Sequence, residues 1–323
     1  MADLIPRRGT SRPGSLVRAA QNAIERRVQS SHEEMVLQQS RFLARTITWA
    51  LIGCTGFGLA WLTFAKTDEV VALAQTAKQY GGGYASHIRN EENGVVDAIE
   101  EAINIGRSAN IPVEISHFKV SGRANWGRSK ETLALIEKAR AEGYDVTIDQ
   151  YPYTASSTNL GVRLPDWALS GGQDSLKQRI ADPATHKRII EGMLDQLKQY
   201  KYKDYYFAVV AQHQADTSLN GKSIKEINIL KGRKDRPKEQ AETILDMMNA
   251  GGAQMVYHGM SEDDVKYFMK YPFNMVGADG GVVETGKGMP HPRSYGTNAR
   301  VLGKFFREQA AGRVSPGLYT VGS

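Results

Sequence analysis

The feature that most constrains the fold is a regular alternation of short apolar segments with amphipathic helical segments after residue 66. Six segments have the apolar or β-branched character of strands: 82–88, 111–118, 145–153, 204–212, 252–259 and 273–281. Helical segments with apolar residues three and four positions apart follow most of them, and Ser129 is a plausible N-cap of the one at 129–145. Such alternation is typical of a parallel sheet or a (β/α) barrel. We therefore predict an α/β fold.

Polar residues at the ends of these strands favour a barrel over an open sheet. The strand-end residues are His87, His117, Asp149, His258 and Asp279. In a (β/α) barrel, the carboxyl ends of the strands meet at one face, where the active site lies. An open sheet would more often carry a glycine-rich phosphate turn between a strand and a helix. The only such string, GGGYAS, precedes a strand instead. The predicted fold is thus a TIM-type (β/α) barrel.

His87 and His117 end successive strands, one βα unit apart, and indicate a metal site. Imidazole suits zinc, and a catalytic zinc takes about three protein ligands plus a water. Asp279 would face the same end of the barrel, where a carboxylate can act as general base and then as general acid. The alternatives are that each histidine is a hydrogen-bonded structural residue and that Asp279 is a turn residue between glycines. His213 and His258 are further candidates with less supportive neighbours.

Composition and charge exclude several other classes of function. The single cysteine, Cys54, excludes an internal disulfide framework and a cysteine-rich zinc site. The net charge is +6, and residues 1–65 account for most of it, with eight Arg and no Lys against four acidic residues. The rest of the chain is nearly neutral and lacks a basic patch with interleaved aromatic residues. We therefore expect no nucleic-acid partner.

An uncharged stretch of twenty residues, Thr46–Ala65, predicts a transmembrane helix. A helix needs about 20 apolar residues to cross about 30 Å of hydrocarbon. Trp49 and Trp61 lie near the two ends, and Arg41 and Arg45 precede the stretch. The positive-inside rule then places the N-terminus in the cytoplasm and the body in the periplasm or outside the cell. The alternative is a buried core helix.

The string RFLARTITWALIGCTGFGLAWLTFAKTDEVV includes this stretch and carries a first resemblance. Residues 35–70 resemble the N-terminal membrane segment of the membrane-fusion (periplasmic adaptor) proteins of type I secretion systems. The resemblance implies a membrane-anchored secretion adaptor with a basic, helical cytoplasmic lead at 1–45. Such an adaptor would continue into a lipoyl-like domain and long heptad hairpins, and no sustained heptads follow Lys66.

Six motifs in the body carry a second resemblance. In chain order they are GGGYASHIRNE, VEISHFKVSG, DVTIDQYPYTASST, LNGKSIKEI, GMSEDDV and GADGG…HPRSYGT. Together they are similar to the N-acyl-D-amino-acid deacylases (D-aminoacylases) of the amidohydrolase superfamily, from about residue 68 to about residue 308. The resemblance implies a metal-dependent (β/α) barrel that hydrolyses an N-acyl-D-amino acid to a carboxylate and a free D-amino acid.

The second resemblance also implies a metal site. By motif position, His87 and His117 match the family's zinc ligands, and Asp279 matches its catalytic aspartate. The family also has a His-x-His pair on its first strand and a bridging ligand such as cysteine. This sequence has no His-x-His pair, and Cys54 lies in the predicted membrane span. We therefore expect a zinc ion (Zn²⁺) held with weak or partial occupancy.

The same resemblance implies a clamp for the substrate's carboxylate. Lys119 and Arg293 match positions that hold this group, and one tyrosine of YPY, Tyr151 or Tyr153, is expected to join them. An N-acylated amino acid is an anion, so a cluster of Lys, Arg and Tyr suits it. The alternatives are exposed surface charges for the two cations and ordinary packing for the tyrosines.

The predicted organisation is a lead at 1–45, a transmembrane helix at 46–65, a partial barrel at 66–312 and a tail at 313–323. The deacylase resemblance implies that the family's first strands have no counterpart here. A barrel without them has an open sheet edge, so a second chain that completes it is an expected partner. Three functions remain open: a deacylase, a catalytically inactive remnant of a truncated or fused gene, and a membrane-anchored adaptor. If the N-terminal segment is an artefact of fusion, the body would be cytoplasmic.

Overall fold

The computed structural model describes residues 65–284 and 286–307. Their strands form two separate sheets. One contains β1 (Tyr84–Ser86), β2 (Val113–Ile115), β3 (Val146–Gln150) and β7 (Asn274–Val276). The other contains β4 (Ser156–Asn159), β5 (Ala208–Gln212) and β6 (Gln254–Tyr257). Helices separate most of these strands, so the predicted α/β class is confirmed.

The helices of the described residues are numbered in chain order. They are α1 (Thr67–Lys78), α2 (Val95–Ala109), α3 (Ser129–Ala141), α4 (Asp166–Leu169), α5 (Gly172–Ala181), α6 (Pro183–Gln199), α7 (Ile224–Leu230), α8 (Pro237–Asn249), α9 (Glu262–Phe268) and α10 (Arg293–Arg300). A π-helical segment, Val301–Phe306, continues α10. Helices α2 and α3 connect β1 to β2 and β2 to β3, as parallel neighbours require.

The first sheet is parallel throughout, in the order β1-β2-β3-β7. Ser86 lies opposite Ile115, and Gln150 at the end of β3 lies opposite Val276 at the end of β7. The carboxyl ends of all four strands therefore reach the same edge of the sheet, where the chain places its candidate site residues.

The parallel sheet and its helices enclose one apolar core. Ile99 of α2, Ile115 of β2, Ile136 of α3 and Ile148 of β3 are fully buried in it. Helix α2 approaches β2 so closely that a Cβ at Gly106 would collide with the side chain of Val113. Only glycine allows the helix to lie at this distance from the strand.

The second sheet is antiparallel, in the order β4-β6-β5. It belongs to a segment inserted between β3 and β7, which pair directly with each other. A second core lies around this sheet, built from buried residues of α6, α7, α8 and the strands, among them Ile189, Ile227, Ile244, Val210 and Met255. The insertion thus has an apolar core of its own.

This insertion corrects the prediction that all six strand segments share one parallel set. The segments at 204–212 and 252–259 do form strands, but they pair with each other and with β4. Strand β4 lies in a stretch rich in Ser and Thr, outside the six predicted strand segments. The pattern missed the pairing of β5 and β6 because an apolar run can indicate a strand but carries no information on its partner. The parallel sheet of the described residues accordingly has four strands and not six.

Helix α3 begins differently from its prediction. Ser129 is its first helical residue and not its N-cap. The carboxylate of Asp264, from α9, accepts hydrogen bonds from the backbone N–H of Gly127 at 2.8 Å and of Ser129 at 3.3 Å. These bonds satisfy free N–H groups at the positive end of the helix dipole. A buried side chain distant in sequence therefore replaces the local cap.

The predicted membrane location is contradicted. None of the helices in the described ranges is both long and apolar enough to cross a bilayer. The longest of them, α6, has 17 residues, and buried residues occupy only one face of it. The predicted span, 46–65, lies outside the described residues apart from Ala65, as do the predicted lead and tail.

Candidate metal centre and active site

The carboxyl ends of the four parallel strands each supply a candidate site residue. His87 follows β1 directly, His117 lies two residues after β2, Tyr151 follows β3 directly and Asp279 lies three residues after β7. The structure therefore brings these sequence-predicted residues to one edge. His258 follows β6 in the other sheet and is not part of this group.

His87 and His117 meet through their ring nitrogens. Nδ1 of His87 contacts Nε2 of His117, and the two rings lie at 82° with their centroids 4.1 Å apart. Glu91 joins them: one ligand atom from each of the three residues lies within 4.8 Å of the others. Two imidazoles and a carboxylate are a donor set that zinc accepts. Among the described residues, this group can hold a metal ion.

Glu91 is a site residue that the sequence reasoning missed. It stands four positions after His87, within the same motif GGGYASHIRNE. The signal that could have revealed it is this spacing, because a carboxylate one short loop beyond a strand-end histidine can turn back toward the strand ends. Its side chain is only 20% exposed, although the loop that carries it is on the surface.

The backbone at His117 adopts an unusual conformation. Its φ is 41°, in the left-handed region that residues other than glycine rarely occupy. Asp149 on β3 supports this turn. Its carboxylate accepts a hydrogen bond from the His117 N–H at 2.8 Å, and its carbonyl accepts one from the Phe118 N–H at 2.7 Å. These bonds hold the His117 ring beside the ring of His87.

Lys119 lies directly behind His117 and is almost fully buried. Its ammonium donates hydrogen bonds to Oε1 of Glu91 at 2.5 Å and to the carbonyl of His117 at 2.8 Å. The same Nζ lies 2.6 Å from Nδ1 of His117. Burial lowers the pKa of Lys119, and the neighbouring Glu91 carboxylate opposes this shift. The Nζ of Lys119 thus has three polar contacts within the protein.

The charges at this cluster follow from burial and from these contacts. Burial opposes ionisation of Glu91, but the Lys119 ammonium and His117 outweigh it and hold the pKa of Glu91 well below its usual range. His87 is exposed as a residue, but its ring is packed against that of His117. Loss of water around the ring, together with His117, lowers the pKa of His87 to about 4. His87 is therefore neutral near pH 7, as a metal ligand must be.

Asp279 and Arg293 form a second cluster at the same edge. Nη1 of Arg293 lies 2.7 Å from Oδ2 of Asp279, and Nη2 donates to the carbonyl of Ser157 at 2.9 Å. Asp279 also has a positive φ, 46°. The ring of Tyr151 lies near both Arg293 and Lys119, so the two clusters are neighbours at this edge.

His291, which sequence reasoning did not single out, supports Arg293. The backbone N–H of Arg293 donates to Nδ1 of His291 at 3.0 Å, so Nε2 carries the proton and donates to the carbonyl of Ala155 at 3.0 Å. Burial and the Arg293 charge lower the pKa of His291 to about 4. The signal for this residue was its place in the HPR string, two positions before the arginine.

The structure separates the two tyrosines that the sequence left equivalent. The ring of Tyr151 is buried, 5.0 Å from the guanidinium carbon of Arg293 and 5.7 Å from Nζ of Lys119. Tyr153 lies apart from these cations, with its hydroxyl donating to the carbonyl of Pro292 at 3.3 Å. Tyr151 therefore lies between the two clusters, and Tyr153 lies at their margin.

A cavity of about 980 Å³ opens beside Asp279 and Arg293. Gly280 and Ser294, the next residues along the chain, line it together with exposed residues of the loop between them, including Val282 and Met289. The cavity thus adjoins Asp279 and Arg293, and its lining residue Met289 donates a backbone hydrogen bond to Ala211 of β5 at 2.7 Å.

Known deacylases are similar to this chain in sequence and in structure. The chain is 32% identical over 244 residues to the D-aminoacylase of Alcaligenes xylosoxydans xylosoxydans, a match that covers 76% of this chain and 40% of the relative. It is 31% identical over 276 residues to the N-acyl-D-glutamate deacylase of the same organism, covering 84% and 47%. A crystal structure of D-aminoacylase superposes with a TM-score of 0.56 at 31% identity, over 76% of this chain and 41% of that one. The chain is a homologue of the N-acyl-D-amino-acid deacylases.

This deacylase homologue spans less than half the length of the relatives that it matches. No protein-family model matches the chain. The resemblance to secretion adaptors finds no support among the relatives found.

Two of the similar solved structures concern metal centres. The N-acyl-D-glutamate deacylase from Bordetella bronchiseptica is complexed with zinc and a phosphonate inhibitor that mimics the tetrahedral intermediate of its reaction. It is 30% identical to this chain, with a TM-score of 0.56 over 76% of this chain and 42% of that one. A D-aminoacylase structure describes a binuclear metal centre with activation by one metal and attenuation by the second.

Proposed function

We propose that this deacylase homologue is a zinc-dependent amidohydrolase that cleaves N-acyl-D-amino acids to a carboxylate and a free D-amino acid. The observation that carries the proposal is the meeting of His87 and His117 at the carboxyl edge of the parallel sheet, next to Asp279 and Arg293. The substrate class comes from the relatives, whose names are those of deacylases of N-acyl-D-amino acids. We also propose that the parallel sheet and its helices are part of a partial (β/α) barrel.

The residues present fit a metal ion. His87 and His117 bring two imidazole nitrogens together, and the carboxylate of Glu91 lies beside them. The lowered pKa of His87 leaves one of its two ring nitrogens without a proton at neutral pH. A bound zinc would polarise the amide carbonyl and make a water molecule acidic enough to attack it near neutral pH. The D-aminoacylase in which one metal activates supports a site built for a single ion.

Asp279 is proposed to move the proton of the reaction. Its carboxylate takes a proton from the attacking water and delivers it to the leaving amine nitrogen, so the acid and the amine form in one cycle. Arg293, 2.7 Å away, holds this carboxylate in place. The positive φ of Asp279 is consistent with a residue held in a strained conformation for function.

Arg293 and Tyr151 are proposed to bind the substrate's carboxylate. The planar guanidinium of Arg293 suits a carboxylate and would bind it in exchange for its contact with the Ser157 carbonyl. The ring of Tyr151 lies 5.0 Å from the guanidinium carbon. Lys119 would join this clamp only by giving up one of its three contacts with Glu91 and His117. The cavity beside Asp279 has room for the acyl group or the side chain of the substrate.

The test uses the full chain. Zinc affinity is measured by chelator competition in the unsubstituted protein and in His87→Ala and His117→Ala, with His258→Ala as a control for a histidine outside the cluster. We expect about one zinc per chain, lost in the first two variants and kept in the control. Hydrolysis of N-acetyl-D-amino acids, with the L-enantiomers beside them, then tests the reaction. If the two histidines hold zinc but no D-substrate is hydrolysed, the proposed deacylase activity is wrong and the proposed metal centre stands.

A further inference from the structure

The loop between β1 and α2 carries two neighbouring carboxylates that have different partners. Glu91 lies 3.0 Å from Nδ1 of His117 and belongs to the group that can hold a metal ion. Glu92, the next residue, pairs instead with Arg163 of the inserted segment, with its Oε1 3.5 Å from Nη2. The loop therefore connects the metal group to the inserted segment.

Arg163 is fixed by the core of the inserted segment. It ends a short 3₁₀-helix, Leu160–Arg163, and is only 8% exposed. Its neighbours Leu160 and Leu164 are buried in the apolar core of the insertion. Its guanidinium carbon lies 5.0 Å from the centroid of the Tyr257 ring, within the range of a cation–π contact. The packing of the insertion therefore sets the position of this charge.

The pair with Glu92 is needed because Arg163 is a buried cation. A guanidinium keeps its charge in a protein, and a buried charge without a counter-ion is strongly unfavourable. Among the described residues, Glu92 is the carboxylate that pairs with Arg163, and the buried Nε of the guanidinium has no hydrogen-bond partner. The pair thus constrains both sides: the loop that carries Glu92 has to stay close to the insertion.

Other contacts hold the loop from the side of β2. The backbone N–H of Ser121 donates to the carbonyl of Glu91 at 2.7 Å, and Nδ2 of Asn125 donates to Oδ1 of Asn93 at 2.9 Å. Both donors follow β2 in the chain. The loop thus lies between the segment after β2 and the insertion, and the contact with Arg163 links it to the insertion.

We propose that Arg163 is a positioning residue of the metal centre: by pairing with Glu92, it holds the loop where the Glu91 carboxylate reaches His117. Without this cation, the Glu92 carboxylate turns toward water, and the adjoining backbone of Glu91 moves with it. The inserted segment in this way controls how tightly the centre binds a metal. The proposal rests on the proposed function, which assigns the centre to zinc.

The first test is the zinc affinity of Arg163→Met in the full chain, by chelator competition. We expect a roughly 10–100-fold loss, the range for removal of a partner that orients a ligand from outside the coordination shell. Arg179→Met is the matched control, because Arg179 belongs to α5 of the same insertion and donates to the carbonyls of Ala168 and Ser170 instead. We expect its zinc affinity to stay close to that of the unsubstituted chain. Equal affinities of the two variants would overturn the proposal.

The second test asks whether Arg163 acts through Glu92. Glu92→Gln removes the charge of the carboxylate and should lower zinc affinity to a similar degree. The double variant should lose no more than Arg163→Met alone, because the interaction between the two residues is already gone. Arg163→Lys keeps the charge and should lose less than Arg163→Met. A role of Arg163 in the core of the insertion alone predicts additive losses, so additivity would refute the positioning role.

The third test needs no metal. Hydrogen–deuterium exchange by mass spectrometry reports on the backbone N–H groups of residues 88–94, where Oδ1 of Asn90 accepts from Glu92 at 2.9 Å and from Gly94 at 3.1 Å. We expect faster exchange of this segment in Arg163→Met and no change in Arg179→Met, because only the first variant frees the loop from the insertion. Unchanged exchange in Arg163→Met would overturn the proposal, whether or not the chain hydrolyses any substrate. Failure of the proposed function alone would leave this exchange result as expected.

Discussion

Two of the site residues share a rare backbone conformation. Outside glycine, four described residues have a positive φ: Asn110, His117, Lys201 and Asp279. Asn110 and Lys201 follow the ends of α2 and α6, where a left-handed residue commonly ends a helix. His117 and Asp279 instead follow parallel strands. Strain of this kind costs about 1–3 kcal/mol and persists where the surroundings enforce it, often at functional sites.

The turn at His117 depends on Asp149. Replacing Asp149 with Ala removes the acceptor of the His117 N–H, so we expect a loss of roughly 1–3 kcal/mol in the free energy of unfolding. Urea denaturation measures it, and zinc affinity should fall in parallel. Asp145→Ala is the control, since its exposed carboxylate pairs with Arg140 at the surface, where ion pairs contribute about 0–1 kcal/mol. Equal losses in the two variants would contradict this account.

The proposed proton transfer separates Asp279 from the metal ligands. Asp279→Asn keeps the shape of the side chain but removes its basicity, so we expect kcat to fall by roughly 10²–10⁴-fold while zinc affinity is kept. Steady-state kinetics on an N-acetyl-D-amino acid that the unsubstituted chain hydrolyses, together with chelator competition, measure the two effects. Glu284→Gln, an exposed carboxylate of the same loop that pairs with Lys287, serves as the control. Unchanged kcat in Asp279→Asn would exclude the aspartate as the proton carrier.

At the scale of elements, contacts between neighbouring strands and helices position the site. Gly277, just after β7, lies so close to β3 that a Cβ there would collide with the carboxylate of Asp149. Asp149 in turn holds His117 beside β2. Helix α9, which precedes β7, caps α3 through Asp264. The strand ends therefore keep their relative positions through contacts distant in sequence.

The cap of α3 gives a stability prediction. Asp264→Ala leaves the N–H groups of Gly127 and Ser129 without their buried acceptor, so we expect a loss of about 1–2 kcal/mol in the free energy of unfolding. Asp264→Asn keeps an acceptor oxygen and should lose less. Urea denaturation of both variants, with the exposed Glu262→Ala of the same helix beside them, checks the order. A Glu262→Ala loss as large as that of Asp264→Ala would refute the capping role.

Glu114 on β2 is expected to make the free energy of unfolding depend on pH. Burial and the nearby Asp149 carboxylate raise the pKa of Glu114 to about 7. Because the folded state holds this proton more tightly than the unfolded state, whose pKa is near 4.5, stability falls as pH rises from about 4.5 to about 7. After allowance for solvent screening, we expect roughly 1–2 kcal/mol.

Glu114→Gln should remove this part of the pH dependence. Urea denaturation at a series of pH values between 4.5 and 7.5 compares it with the unsubstituted chain. An unchanged slope in the variant would show that other groups cause the dependence.

At the scale of the whole molecule, one site draws on segments far apart in the chain. His87 and His117 come before the inserted antiparallel sheet, and Asp279 and Arg293 come after it. The insertion therefore has to fold back so that β7 can pair with β3. A ligand that binds this edge stabilises the folded state as a whole, because the unfolded chain has no such site.

Zinc should accordingly raise the melting temperature of the chain. A ligand that binds only the folded state adds about 2.7 kcal/mol at a free concentration 100 times its Kd. We expect a rise with zinc that a chelator reverses, and none in His117→Ala. Differential scanning fluorimetry measures it, with His258→Ala as the control that keeps the rise. An equal rise in His117→Ala would place the binding elsewhere.

The sequence predicted the positions of the strands more accurately than it predicted which strands pair with each other. All six predicted strand segments contain a strand, because apolar and β-branched runs report local burial. β4 was missed because its residues, SSTN, have no apolar alternation. β5 and β6 were placed in the wrong sheet because an apolar run is compatible with either. The pairing of β3 with β7 spans more than a hundred residues, and no local pattern encodes it.

The sequence by itself determined the α/β class and the placement of His87, His117 and Asp279 after strands, since these depend on neighbours within a few residues. Only the tertiary structure decided which strands share a sheet, which tyrosine lies beside Arg293, that Asp264 caps α3, and that Glu91 and Lys119 meet at one nitrogen of His117. These features depend on distances between residues remote in the chain. Such distances are set by packing and hydrogen bonding across the whole fold, and not by local preference.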